Sequence, residues 1–154
     1  MNPYFRLTFP ANPNWFKTIR TLVLTATKHV GFSNQEASQV SLAIDEALCN
    51  IYRHGYQGNH LGSIDFTFES KTSPQLEIKM TIIDEGNQVP LEQIQSRALY
   101  EVRPGGLGVH LIKTIMDDAH WSHADKGMKL EVIKRKSLSS SDTLPEKEQQ
   151  HVPE

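Results

Sequence analysis

With 154 residues, 38% of them apolar, and a formal net charge of -2, the chain is long enough for one domain with a core and too apolar for global disorder. It has no apolar run near the roughly 18 residues of a membrane span, no basic-then-apolar N-terminal segment, and one cysteine, Cys49, which excludes an internal disulfide and a cysteine-based zinc site. These features predict a cytoplasmic protein without membrane contact, and a charge near zero, with "KRK" at 134–136 as the only dense basic run, gives no case for direct nucleic-acid binding.

"YFRLTFP" alternates around Phe5, Leu7 and Phe9 and reads as a strand stopped by Pro10. From Asn14 the period changes. Trp15, Ile19, Leu22, Val23, Ala26 and Val30 recur at three and four, marking one helical face, and Gly31 ends the helix. Ser33 and Glu36 then form a capping box for a second helix, expected from about Asn34 to about His54, with Val40, Ile44, Ala47, Leu48 and Ile51 inward. Gly55, Gly58 and Gly62 break the chain into a loop.

"SIDFTFES" and "QLEIKMTIID" alternate as two strands joined through "TSPQ". The stretch from Pro90 to Pro104 is poorly periodic, with a short helix expected near "LEQI". "VHLIKTIMDD" reads as a helix presenting Val109, Ile112, Ile115 and Met116. "AHWSHA" and "MKLEVIKR" form a closing strand pair joined near "DKG". Beyond Lys136 the chain turns polar and rich in Ser, Glu and Pro, so a domain over 1–136 and a disordered tail over 137–154 are expected. Helices and hairpins in this order predict an α+β two-layer sandwich whose sheet is covered on one face by helices, not a series of βαβ units.

Three stretches carry candidate chemistry. In "DEALCNIYRHGYQG", Glu46, Asn50 and His54 follow one another at i, i+4 beside the apolar stripe. A carboxylate in such a seam loses hydration unless it is bonded or bound to a cation. The wheel alone does not separate this from a solubilising flank. Asn50 tilts the balance: asparagine is a mediocre helix-interior residue, and coordination of magnesium, which takes oxygen ligands, is one way to offset that. Asp84 ends a strand and Gly86 follows in "DEG", which fits a carboxylate that accepts from the exocyclic amine of a base, and equally fits a plain turn. "PGGLG" at 104–108 crowds Gly105, Gly106 and Gly108 at a helix entrance, where free backbone N–H groups can cradle phosphate; a flexible loop is the alternative. It matches neither the Rossmann nor the P-loop pattern. The histidines show no metal-ligand spacing, and His120 and His123 in "HWSH" face opposite sides of a strand.

Taken together, "EALCNIYRHGY", "DEG" and "GGLG" resemble the Asn box and the two glycine boxes of the Bergerat-fold ATPases, which include histidine kinases, Hsp90-type chaperones, gyrase B subunits and MutL-type proteins. The "EA…N…HGY" form and "GGLGVHLIKTIMDD" look most like the small bacterial anti-sigma-factor serine kinases. The resemblance covers about residues 3 to 135 and implies a histidine-kinase-like ATPase fold with a mixed sheet. It implies ATP and Mg2+ as ligands, with Asn50 on the metal, Glu46 as the base that activates the attacking hydroxyl, and Asp84 with Gly86 at the adenine. It further implies His54, Gly55 and Tyr56 at the helix exit, Gly105, Gly106 and Gly108 at the phosphates, and Arg103 as a lid arginine near the γ-phosphate. The implied partners are a small anti-sigma antagonist that accepts phosphate on serine, a sigma factor or similar regulator, and a second copy of the chain.

The sequence departs from that pattern in one place of consequence. A second glycine after "DEG" is missing and Gln88 stands there, which is expected to stiffen the start of a short lid. The absence of a phosphoacceptor dimerisation helix argues against a sensor kinase, and the length against a gyrase- or Hsp90-like assembly. The leading expectation is therefore an ATP-dependent protein-serine kinase that also binds a regulator. The alternative is a nucleotide-binding interaction module of the same fold without kinase activity.

Overall fold

The alternation of apolar residues along four of the five strands builds one sheet with one buried face. In the computed structural model, which describes residues 2–94 and 107–136, β1 (Asn2–Pro10), β2 (Ser63–Lys71), β3 (Leu76–Asp84), β4 (Asp118–His123) and β5 (Met128–Lys136) lie in the order β1-β2-β3-β5-β4. The sheet was expected to be mixed; each of its four ladders is antiparallel. Ile64, Phe66 and Phe68 on β2, Ile78, Met80 and Ile82 on β3, and Leu130 and Val132 on β5 all point to the same side and are buried. The other side carries ion pairs such as Lys79–Glu131 at 3.0 Å.

Among the described residues, three α-helices cover the buried face. The first, α1 (Pro13–His29), starts with Pro13 in its first turn, and its N-cap Asn12 accepts a hydrogen bond from the Asn14 N–H. Its buried stripe is Phe16, Ile19, Val23, Ala26 and Thr27. The expected face is thus rotated by about one position at its start: Trp15 is 52% exposed, and Phe16 takes the inward place. Gly31, at φ 118°, lets the chain turn out of the helix.

The second helix, α2 (Asn34–Asn50), opens on the capping box. The Ser33 hydroxyl accepts from Glu36 N–H at 3.1 Å, and Glu36 accepts from Ser33 N–H at 2.8 Å. Val40, Ile44, Ala47 and Leu48 are buried. The α-helix stops at Asn50 rather than near His54 and continues as a π-helical turn, Ile51–Gly55, in which Tyr56 N–H reaches back five residues to the Ile51 carbonyl. The short helix expected near "LEQI" is a single 3-10 turn, Leu91–Gln93. The third α-helix, α3 (Leu107–Ile115), buries Ile112 and Ile115 and packs on α2. The tail 137–154 lies outside the described residues.

Candidate functional site

Adjacent carboxylates on α2 go separate ways. Asp45 turns to α1 and pairs with Arg20 at 3.2 Å. Glu46, the next residue, is turned by about 100° and meets the first turn of α3. A Cβ built on Gly108 would lie 2.8 Å from Glu46 Oε2, 3.3 Å from Asn50 Nδ2 and 3.6 Å from Asn50 Oδ1. A side chain there would have to push the flexible end of Glu46 aside. The start of α3 therefore rests against the pair one turn apart on α2, and a helix start favours negative charge. Glu46 and Asn50 are partly buried, and among the described residues neither side chain makes a hydrogen bond or ion pair.

His54 is exposed on the π-helical turn that follows Asn50. The neighbours of His54 do the structural work at this exit. Gly86 lies on the backbone of Gly55: a Cβ at Gly86 would come within 2.5 Å of the Gly55 carbonyl oxygen, which also accepts from Asn87 N–H at 2.7 Å. Tyr56 donates its hydroxyl to the Ser63 carbonyl and accepts from Glu85 N–H at 2.7 Å. Its ring fills the space over Gly62, where a Cβ would sit 2.5 Å from ring carbons. Burial pushes the Tyr56 hydroxyl pKa up, the hydrogen bond from Glu85 N–H opposes that rise, and the nearby Asp84 carboxylate adds to it. The "HGY" segment thus holds the "DEG" turn in place.

Asp84 sits at the inner end of β3, 2% exposed. Its Oδ1 accepts from Gly86 N–H at 2.9 Å and from Met128 N–H at 3.3 Å, while Oδ2 has no bond among the described residues. Burial raises its pKa above the usual aspartate range, against the two backbone donors that favour the ionised form. Gly127, at φ 70°, brings the β4–β5 turn directly under this carboxylate, where a Cβ would meet the backbone carbonyl of Asp84 and lie 2.5 Å from Oδ1. The sequence singled out Asp84 and Gly86 and placed Tyr56 at the helix exit, but it did not show Tyr56 bonded to Glu85 N–H, nor Gly127 and Met128 as supports of Asp84. The turn at "DKG" was legible; its position beneath a residue some forty places earlier was not.

Asp84 presents a buried acceptor oxygen, and Glu46 and Asn50 present side-chain oxygens with no partner among the described residues; oxygens of this kind are chemically able to accept from an amine and to ligate magnesium. Arg103, Gly105 and Gly106 lie outside the described residues.

A family model for the histidine kinase-like ATPase domain matches residues 9–134. The chain belongs to that family. It is homologous to serine-protein kinases RsbW: 28% identical over 123 residues to that of Oceanobacillus iheyensis, covering 75% of this chain and 76% of the relative. The Bacillus subtilis kinase is 26% identical over 123 residues, with 75% of each chain covered. The kinase of Listeria monocytogenes serotype 4a is 30% identical over 145 residues, with 87% of this chain and 88% of the relative covered. Among solved structures, the RsbU and RsbW domains of a Mycobacterium tuberculosis protein superpose with a TM-score of 0.63 at 18% identity, over 88% of this chain and 32% of that one. That likeness bears on the fold. No helix among the described residues is long and apolar enough to cross a membrane.

Proposed function

We propose that the chain is an ATP-dependent protein-serine kinase and anti-sigma-type regulator, which phosphorylates a serine of a small antagonist protein and sequesters a sigma factor or similar regulator. The observation that carries this reading is the meeting of Glu46 and Asn50 with Gly108 at the start of α3, on a chain homologous to serine-protein kinases along three quarters of its length.

In this reading Asp84 accepts a hydrogen bond from the adenine amine through Oδ2, with Oδ1 fixed by its two backbone donors. Asn50 contributes an amide oxygen to magnesium, which when bound neutralises charge on the triphosphate. Glu46 takes the proton of the serine hydroxyl as that oxygen forms a bond to the γ-phosphorus; the bond from the γ-phosphorus to its bridging oxygen breaks, and ADP leaves. Positioning, rather than an unusual nucleophile, supplies most of the acceleration.

The direct test is transfer of labelled phosphate from ATP to candidate antagonist proteins, followed by identification of the modified residue. Phosphoserine on one of them is the expected result. Tight ATP binding with no transfer to any of them would favour the second reading, a nucleotide-binding interaction module, which the glutamine at position 88 independently favours.

A further inference from the structure

Asp84 Oδ1 draws its two donors from different segments: Gly86 N–H from the loop 85–90 that leaves β3, and Met128 N–H from the start of β5. The direction of this carboxylate therefore depends on how the loop and the β4–β5 turn sit against each other. Two side-chain bonds join the same two segments farther out. Gln88 Nε2 donates to the Ala124 carbonyl at 2.8 Å. His123 Nε2 lies 2.8 Å from the Val89 carbonyl, which can only accept, so the ring nitrogen carries the proton. The turn is itself closed by Ala124 N–H on the Gly127 carbonyl at 3.1 Å.

We propose that Gln88 and His123 are positioning residues for the base end of the nucleotide site, a clasp that locks the loop 85–90 to the β4–β5 turn and so fixes Asp84. This inference rests on the nucleotide reading above. A glycine at position 88 has no side chain to reach Ala124; the glutamine supplies a fixed tether at that point. Both residues are solvent-exposed, so the tether acts through pre-organisation and not through burial. Their alteration leaves the core intact, which makes the test clean.

Gln88→Met keeps the length of the side chain and removes the donor. His123→Phe removes the ring nitrogen, whereas His123→Gln retains an N–H donor. Titration calorimetry with ADP and magnesium is expected to show affinity falling about threefold to tenfold for Gln88→Met and for His123→Phe, the scale of one hydrogen bond. The double variant should lose less than the product of the two, because both bonds hold the same pair of segments. His123→Gln should recover most of the affinity. The melting temperature without nucleotide should stay nearly constant across the set, and KM for ATP should rise in any variant that retains transfer, with kcat unchanged. ADP affinity that is the same in all variants overturns the clasp, as does a loss of affinity that merely follows a loss of melting temperature. Failure of the unsubstituted chain to bind ADP overturns the nucleotide reading itself, a result distinct from either.

Discussion

Glu46 stands one helical turn before Asn50 and against the first turn of α3, and a carboxylate there can play two roles. It can take a proton during transfer, or it can simply stabilise the positive end of α3. Glu46→Gln separates them. If Glu46 is the base, nucleotide and partner binding persist while phosphate transfer slows by about 10²–10⁴-fold, the usual range for general acid–base catalysis. If it serves α3 alone, transfer is unchanged and the melting temperature falls. At the other end of the site, Asp84→Asn replaces an ionised acceptor by an amide. Loss of a charge-assisted bond should weaken ADP binding by roughly tenfold or more. The Asn variant also removes the cost of burying a charge, since burial raises the Asp84 pKa. It should therefore be no less stable than the parent in the absence of nucleotide, unless the exchanged amide fails to accept from Gly86 and Met128. ADP titration and thermal unfolding of the same sample decide both points.

Most of the elements could be read from local pattern, because their causes are local. The capping box before α2 is an instance: Ser33 and Glu36 announce a helix start three residues apart, and each bonds the other's backbone in the folded chain. Ser33→Ala is expected to cost about 1 kcal/mol, or about 2–4 °C in melting temperature for a domain of this size, with ADP affinity unaltered because Ser33 lies at the end of α2 remote from Glu46. An unchanged melting temperature would show that the box is redundant with packing of Val40 and Ile44. The end of α2 was less legible. Apolar spacing runs through Ile51 without a break, and nothing in the composition of "IYRHG" requires an i→i+5 turn; the turn follows from where Gly55 must lie so that Gly86 can rest on it. The site divides in the same way. Glu46 and Asn50 share a helix, so their adjacency is fixed by the period of that helix. The supports of Asp84 come from residues 56, 86, 127 and 128, and only the register of β2 on β3 and β3 on β5 brings them together.

Acid should unfold the chain through a small set of glutamates. Glu77 is 6% exposed at the start of β3. Burial alone would raise its pKa, but Arg135 at 2.8 Å and Lys71 at 3.3 Å hold it below the ordinary glutamate range. Glu131 is held low chiefly by Lys79. Burial would raise Glu36, and the Ser33 backbone and side-chain hydrogen bonds outweigh it and keep Glu36 low. A carboxylate with a depressed pKa in the folded state contributes stability at pH values above its unfolded pKa, near 4.3 for glutamate, and loses it as pH falls through the folded value. Asp84 has the opposite sign: its raised pKa means that protonation favours the folded form, so its contribution improves as pH falls. Among the described residues, the lowered glutamates Glu77, Glu131 and Glu36 each lose stability as pH falls below about 4.3, against the opposite contribution of Asp84. Glu77 is the most deeply buried of the three and joins β3 to β5 through Arg135, which also bonds Asp118 of β4 at 2.6 Å. Glu77→Gln should therefore lower stability at pH 7 by about 1–2 kcal/mol and flatten the acid limb of the stability curve. Urea unfolding without nucleotide, repeated from pH 7 down to pH 3.5, measures both effects. A variant that is less stable at pH 7 but falls as steeply as the parent in acid would mean that Glu77 acts by packing and that the acid sensitivity resides in Glu131 and Glu36.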